Sequence, residues 1–249
     1  MFVAASTNCF PHLSLDDTFE KIVDLEFTGV ELILSEDEEI KPSDIHKNLN
    51  EMIDRCSNTR RLTVCSYFVD IAAEGDEYFT QFESICKLAK ATKVVALTVP
   101  SGELGTPFNE EVERFKSLVK IAQQQGVRVG MLSTTGHVSE DPDTVGVICD
   151  HVKGLCLSMD PSHYIYKRDN PPDIDKLYKY VHHVYLRDST KDELQVRVGQ
   201  GVIDYGKLVN LLVKHKYQRA LCVDIRPEDG VDHMAELRKV RLLLESLLL

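Results

Sequence analysis

Gly126-Val127-Arg128-Val129-Gly130-Met131-Leu132 and Gly154-Leu155-Cys156-Leu157-Ser158-Met159-Asp160 bracket the stretch that decides the fold. Each opens on a glycine, runs through apolar residues and reaches polar groups at its end. Between them stands Asp141-Pro142, a capping oxygen before a proline that has no amide to leave unpaired, which marks a helix start. Strand, helix and strand in that order form a βαβ unit, whose two strands run parallel.

The same alternation extends to both ends of the chain. Strand-like runs fall at 2–6, 30–34, 62–67, 94–99, 127–132, 155–159, 183–187 and 220–225. Several are apolar throughout, as strands covered on both faces are. Helical stripes lie between them: Phe115, Leu118, Val119 and Ala122; Ile174, Leu177, Tyr178 and Val181; Leu237, Val240, Leu244 and Leu247. Ser14-Leu15-Asp16-Asp17 resembles a capping box, and Thr106-Pro107 offers a second capped start. Gly29, Gly126 and Gly154 stand where a helix ends before a strand and a positive φ is wanted. Eight strands and eight helices predict a (β/α)₈ barrel in one domain over 1–249, with a doubly wound open sheet as the competitor. The length agrees, at roughly 31 residues per unit.

Composition narrows the function. At 43% hydrophobic and 28% charged, the 249 residues can bury a sizeable core. With 29 basic and 40 acidic residues the net charge is −11, which opposes nucleic acid and anionic membranes as partners. No basic residue precedes Lys21 and no apolar run is long enough to span a bilayer. Seven cysteines without a CxxC read as reduced, structural thiols. These features predict a cytoplasmic protein. The acidic run 35–39 reads as a solvated loop, and the leucine clusters 242–244 and 247–249 as core or interface, leaving the oligomeric state open.

In parallel barrels the working groups project from the C-terminal strand ends. Those ends carry Glu31, the segment 132–137, Asp160-Pro161-Ser162-His163, Tyr185, Arg187 and Asp224. Side-chain alternation groups Asp160 with Ser158 and Cys156, Tyr185 with His183 and Arg187, and Asp224 with Cys222. Asp160, His163, Tyr185 and Asp224 are therefore predicted to share a polar pocket as catalytic groups, with Glu31, Arg187 and His183 as substrate-binding groups. A lone acid such as Asp160 could equally cap the next helix. His137 and His215 read as surface residues. His182 reads as a satisfied structural residue facing the helices. Gly199-Gln200-Gly201, near Arg197, reads as a tight connection, with a phosphate cradle as the alternative.

At these residues the chain resembles the xylose isomerase-like TIM barrels, which hold sugar and sugar-phosphate isomerases and epimerases and endonuclease IV-type repair enzymes. The resemblance rests on Phe27-Thr28-Gly29-Val30-Glu31-Leu32, on 126–131 followed by Glu140-Asp141-Pro142, and on Gly154 through His163. It is completed by His183-Val184-Tyr185-Leu186-Arg187-Asp188-Ser189 with Gly199-Gln200-Gly201-Val202-Ile203-Asp204-Tyr205. It implies a divalent-cation site from Glu, Asp, His and Glu on strands five to eight. Carried over, those positions fall on Leu132, Asp160, Tyr185 and Asp224. One ligand is kept, and a second is shortened by a methylene.

Leucine cannot ligate, and a cation needs several donors at about 2.0–2.2 Å. The sequence therefore predicts no tightly bound catalytic metal and no cofactor, against a counter-reading in which His163, His137 or Glu31 rebuild the site. The expected activity is that of a sugar or sugar-phosphate isomerase or epimerase working by metal-independent proton transfer next to a carbonyl. Asp160 or Asp224 would be the base, His163 the acid, and Arg187 or Tyr185 the donor to the oxygen. The alternative is an inactive carbohydrate-binding or regulatory barrel that takes a sugar or polyol. A repair endonuclease is disfavoured by the net charge and by strand ends that lack a multi-zinc ligand set.

Overall fold

The computed structural model describes residues 1–249. Eight strands form a closed, all-parallel barrel in sequence order: β1 (Phe2–Ser6), β2 (Gly29–Leu34), β3 (Thr63–Val69), β4 (Ala96–Val99), β5 (Arg128–Leu132), β6 (Cys156–Met159), β7 (Val181–Leu186) and β8 (Ala220–Val223). β1 pairs with β8, Phe2 opposite Ala220 and Ala5 opposite Val223, which closes the ring and excludes the open doubly wound sheet. Around it lie α1 (Leu15–Asp24), α2 (Pro42–Lys47), α3 (Leu49–Ser57), α4 (Gly75–Ala91), α5 (Phe108–Gln124), α6 (Pro142–His151), α7 (Ser162–Ile165), α8 (Tyr205–Lys214) and α9 (His233–Ser246). No helix is long and apolar enough to cross a membrane.

Two units depart from one strand and one helix. The second carries α2 and α3. In the sixth, the stripe Ile174 to Val181 is not an α-helix: Asp175–Tyr180 is a 3₁₀ segment and Val181 already opens β7. Pro171 and Pro172 bar an earlier helical start, and β7 follows at once, so a full helix has no room. Helix caps follow the sequence at two of three sites. Ser14 accepts from the Asp17 amide and Asp141 from the Thr144 amide, but α5 begins after Pro107 with no side-chain cap from Thr106.

Gly126 and Gly154 adopt positive φ, 72° and 96°, as expected; Gly29 does not. The left-handed residue after α1 is Glu26, at φ 62°, and Gly29 instead opens β2, where a β-carbon would press on the Phe2 ring. Exposed Lys216 plays the same part after α8 at φ 60°. A side chain there is strained, so Lys216→Gly is expected to stabilise the chain by about 0.5–1 kcal/mol, read as a higher urea midpoint at unchanged slope.

The layer between barrel and helices is apolar, built on residues such as Leu32, Tyr67, Phe82, Phe115 and Leu157. Leu244 of the terminal leucines joins this core, while Leu242 and Leu249 are exposed. The acidic run is a loop, but Glu36 and Glu39 accept from the backbone amides of Ser43 and Leu15, each capping a helix that begins elsewhere. Inside the barrel the filling is polar. Thr98 Oγ1 meets Ser158 Oγ at 2.8 Å, and Glu31, Ser66 and His183 share the next contacts. Register slips of one residue, β2 against β3 at Cys65 and β6 against β7 at His182, turn Ser66 and His183 inward.

Candidate active site

Strand alternation delivers the expected groups to one place. A cavity of about 520 Å³ at the C-terminal end of the barrel is lined by Glu31, Leu132, Asp160, His163, Tyr185, Arg187 and Asp224, among others. His183 is not among them. It stands two residues before Tyr185, one layer deeper, where it touches Glu31 rather than the cavity.

The floor is a buried cluster. Glu31 Oε2 accepts from Ser66 Oγ at 2.5 Å and Tyr185 Oη at 2.8 Å, and lies 2.9 Å from His183 Nε2. Glu31 Oε1 is buried with no partner. Burial opposes charge on His183, but the Glu31 carboxylate outweighs it and holds the imidazole above its ordinary value. Burial raises the Tyr185 phenol well above its usual range, so it stays neutral, with its proton committed to Glu31. Cys222 completes a set of three possible ligand atoms with Glu31 and His183, all within 4.8 Å of one another. A cation there would have to displace the donors that already converge on Glu31 Oε2.

The wall is an ion triplet. Arg187 Nη2 lies 2.9 Å from Asp160 Oδ2 and 2.5 Å from Asp224 Oδ2. Burial disfavours the charged guanidinium, yet the two carboxylates hold its pKa above the usual arginine range. The contact to Asp160 lies off the hydrogen-bonding direction, so Asp160 Oδ2 remains buried without a hydrogen bond; Arg187 Nε is also buried without one. Asp160 Oδ1 is fixed by the Ser162 amide at 2.9 Å and hydroxyl at 2.5 Å. Asp160 thus spends one oxygen on Ser162, the first residue of α7, and keeps the other beside Arg187 without a hydrogen bond. Asp224 Oδ1 accepts from Asn8 Nδ2 at 2.7 Å.

His163 is held by the Thr135 amide, which donates to its Nδ1 at 3.1 Å. That bond leaves the proton of the neutral ring on Nε2, 3.8 Å from Asp160 Oδ2. Burial lowers its pKa, more than Asp160 restores, so the ring is neutral near pH 7 and points an N–H at the cavity.

Other expectations settle differently. Gly199 and Gly201 donate their amides to Asp188 Oδ2 at 2.8 and 3.0 Å, so this turn is the tight connection and its amides are spent. A β-carbon on Gly201 would overlap the Asp188 carboxylate. His137 is half-buried, with Nδ1 2.7 Å from Ser101 O, whereas His215 is exposed. His182 is buried as expected but not satisfied: its Nε2 has no partner. Ser66 and Asn8 were not singled out from the sequence; short polar residues in such runs carry no signal of their own.

A family model described as "Xylose isomerase-like TIM barrel" matches residues 19–245. The chain belongs to the xylose isomerase-like TIM barrel family. No curated protein matches it by sequence. Among solved structures, a xylose isomerase domain protein from Planctomyces limnophilus is similar at 18% identity, covering 98% of this chain and 95% of that one, with a TM-score of 0.73. A probable 3-DHS dehydratase from Bacillus anthracis shares 13% identity over 98% and 99% of the two chains, with a TM-score of 0.74. A 3-keto-D-glucoside 4-epimerase from E. coli shares 16% identity over 99% of each, also at 0.74. At these identities the likeness to the solved structures is one of fold.

Proposed function

We propose that this xylose isomerase-like barrel is a sugar or sugar-phosphate isomerase or epimerase that moves a proton next to a carbonyl, with Arg187 in the part a divalent cation would play. The observation that carries the reading is the position of Arg187 Nη2 against both Asp160 Oδ2 and Asp224 Oδ2. The four positions implied for a cation do not fit one. Leu132 has no donor, the Tyr185 phenol is neutral and bonded to Glu31, and a guanidinium stands between the remaining two carboxylates.

Proton transfer beside a carbonyl needs a base at the carbon and a donor at the oxygen. Asp160 Oδ2, free of any hydrogen bond, is the base. The carbonyl oxygen sits against the unused Arg187 N–H and the His163 Nε2–H, which stabilise the enolate as it forms. In the isomerase direction Asp160 gives the proton it took to the neighbouring carbon; in the epimerase direction Asp224, protonated beforehand from solvent, delivers that proton to the opposite face and Asp160 releases its own to solvent. Tyr185 supports Glu31 and is not the oxygen donor. Seven free thiols suit a reducing compartment such as the cytoplasm.

The test is exchange into D₂O of the proton α to the carbonyl across a panel of ketoses, aldoses and their phosphates. Exchange that survives EDTA and is not increased by Mn²⁺ is expected, together with substoichiometric metal in protein purified without a His-tag. Stoichiometric Mn or Zn, or exchange abolished by chelation, would sink the metal-independent reading. One observation favours a second reading: the ion triplet also engages both candidate bases. Saturable sugar binding without any exchange would make this a carbohydrate-binding barrel.

A further inference from the structure

The opposite, N-terminal end of the barrel holds another cavity, of about 550 Å³, between α5 and the first residues of β5, β6 and β7. In a chain of net charge −11, cations gather here. Arg128 and Lys179 line the cavity beside Gln123, Cys156 and His182. Arg219, which immediately precedes β8, acts electrostatically on Arg128, Cys156 and His182. The ionisable groups acting on Arg219 are Tyr217, Arg128 and Cys156, with no carboxylate among them. Those acting on His182 are Arg219, Arg128 and His183. Asp150, held by Tyr180 Oη at 2.5 Å, acts on Lys179.

His182 supplies an independent sign. Its side chain belongs to a residue only 4% exposed, and its Nε2 has no hydrogen-bond partner. The register slip between β6 and β7 leaves this residue opposite no partner in β6. Burial, then Arg219 and Arg128, push its pKa down to about 3, so the ring is neutral and able to donate. Native proteins rarely leave a buried polar nitrogen unpaired, and neither Arg128 nor Arg219 is in an ion pair. One anion would give His182 Nε2 its partner and place a negative charge among these cations.

We propose that this cavity binds a small phosphate-bearing molecule, with the phosphate seated against Arg128 and His182, in the field of Arg219 beside them. A planar carboxylate is saturated by a single guanidinium fork, whereas donors arriving separately from the starts of β5 and β7 suit a tetrahedral group. The cavity is far larger than one phosphate and leaves space for a small organic remainder.

The test uses the full chain with inorganic phosphate and glycerol 3-phosphate, against chloride at matched ionic strength. Both are expected to raise the melting temperature saturably and to shift the ¹⁵N resonances of the His182 ring. Arg128→Gln and Arg219→Gln each weaken phosphate binding at least tenfold. Without phosphate both variants melt at or above the wild-type temperature, because one of two repelling cations is gone; a purely structural arginine would lower it. A response no greater than that of chloride overturns the proposal. So does binding that leaves His182 unmoved, or that survives both substitutions and is lost in Arg226→Gln, a residue that lines the cavity at the C-terminal end of the barrel.

Discussion

Replacing Arg187 by methionine is expected to cost about 10²–10³-fold in carbonyl-adjacent proton exchange and about 3–5 kcal/mol in stability. The side chain is 12% exposed, and its Nη2 contacts both carboxylates. Removing it leaves Asp160 and Asp224 facing each other without a counter-charge, so one of them must take up a proton to relieve the repulsion. Urea unfolding should therefore show the variant recovering stability as the pH is lowered, opposite in direction to an intact ion pair. Arg187→Lys tests geometry against charge. A single ammonium is a point charge without the guanidinium fork, so stability returns in part while exchange stays low. A further consequence separates this reading from a merely structural salt bridge. Arg187→Ala opens the space between the carboxylates, and Mn²⁺ should then raise the melting temperature of the variant but not of the wild type. An unchanged exchange rate in Arg187→Met would remove Arg187 from the mechanism.

The second large effect lies one layer down. Glu31 is fully buried and takes Ser66, Tyr185 and His183 on a single oxygen. Glu31→Ala orphans all three and should cost about 3–5 kcal/mol by urea unfolding. Glu31→Gln should cost far less. Its carbonyl can replace Oε2, and its amino group falls where Oε1 already has no partner. What glutamine cannot supply is charge, so His183 should titrate lower in the variant, as read by NMR. In the wild type the folded pKa of His183 lies above the ordinary 6.5. The unfolded state then binds fewer protons between the two values. The pairing therefore contributes stability that is complete below about 6.5 and is lost as pH rises through the folded value. That loss should vanish in Glu31→Gln; a variant with the wild-type pH dependence would exclude the pair as its source.

The eight strands were legible because parallel strands covered on both faces leave uninterrupted apolar runs, and each run lies within about two residues of a strand. The stripe from Ile174 to Val181 misled because a 3₁₀ segment and the strand after it share the same apolar spacing over two turns. Gly29 misled because Glu26 accepts the left-handed position itself. At the site, counting in twos puts Asp160, Tyr185, Arg187 and Asp224 on the inward face, and all four line the cavity, since strand ends project their side chains by alternation. It could not show that Arg187 would settle between the two acids, because that depends on the spacing of three strands around a closed ring. Ser66 and Asn8 escaped for related reasons. The first reaches Glu31 only through the slip at Cys65, and the second reaches Asp224 only because β1 and β8 meet. For His182 the direction was right, but missing hydrogen bonds leave no trace in a sequence.

The guanidinium between Asp160 and Asp224 is tethered to the main chain. Its abundance is fixed at one per polypeptide by translation, and it cannot be dialysed away, exchanged for a competing ion or withheld by a cell short of manganese or zinc. Its adjustability is limited in the same measure. A metal site can be retuned by loading a different ion, whereas this one changes its cation only by mutation of a single codon.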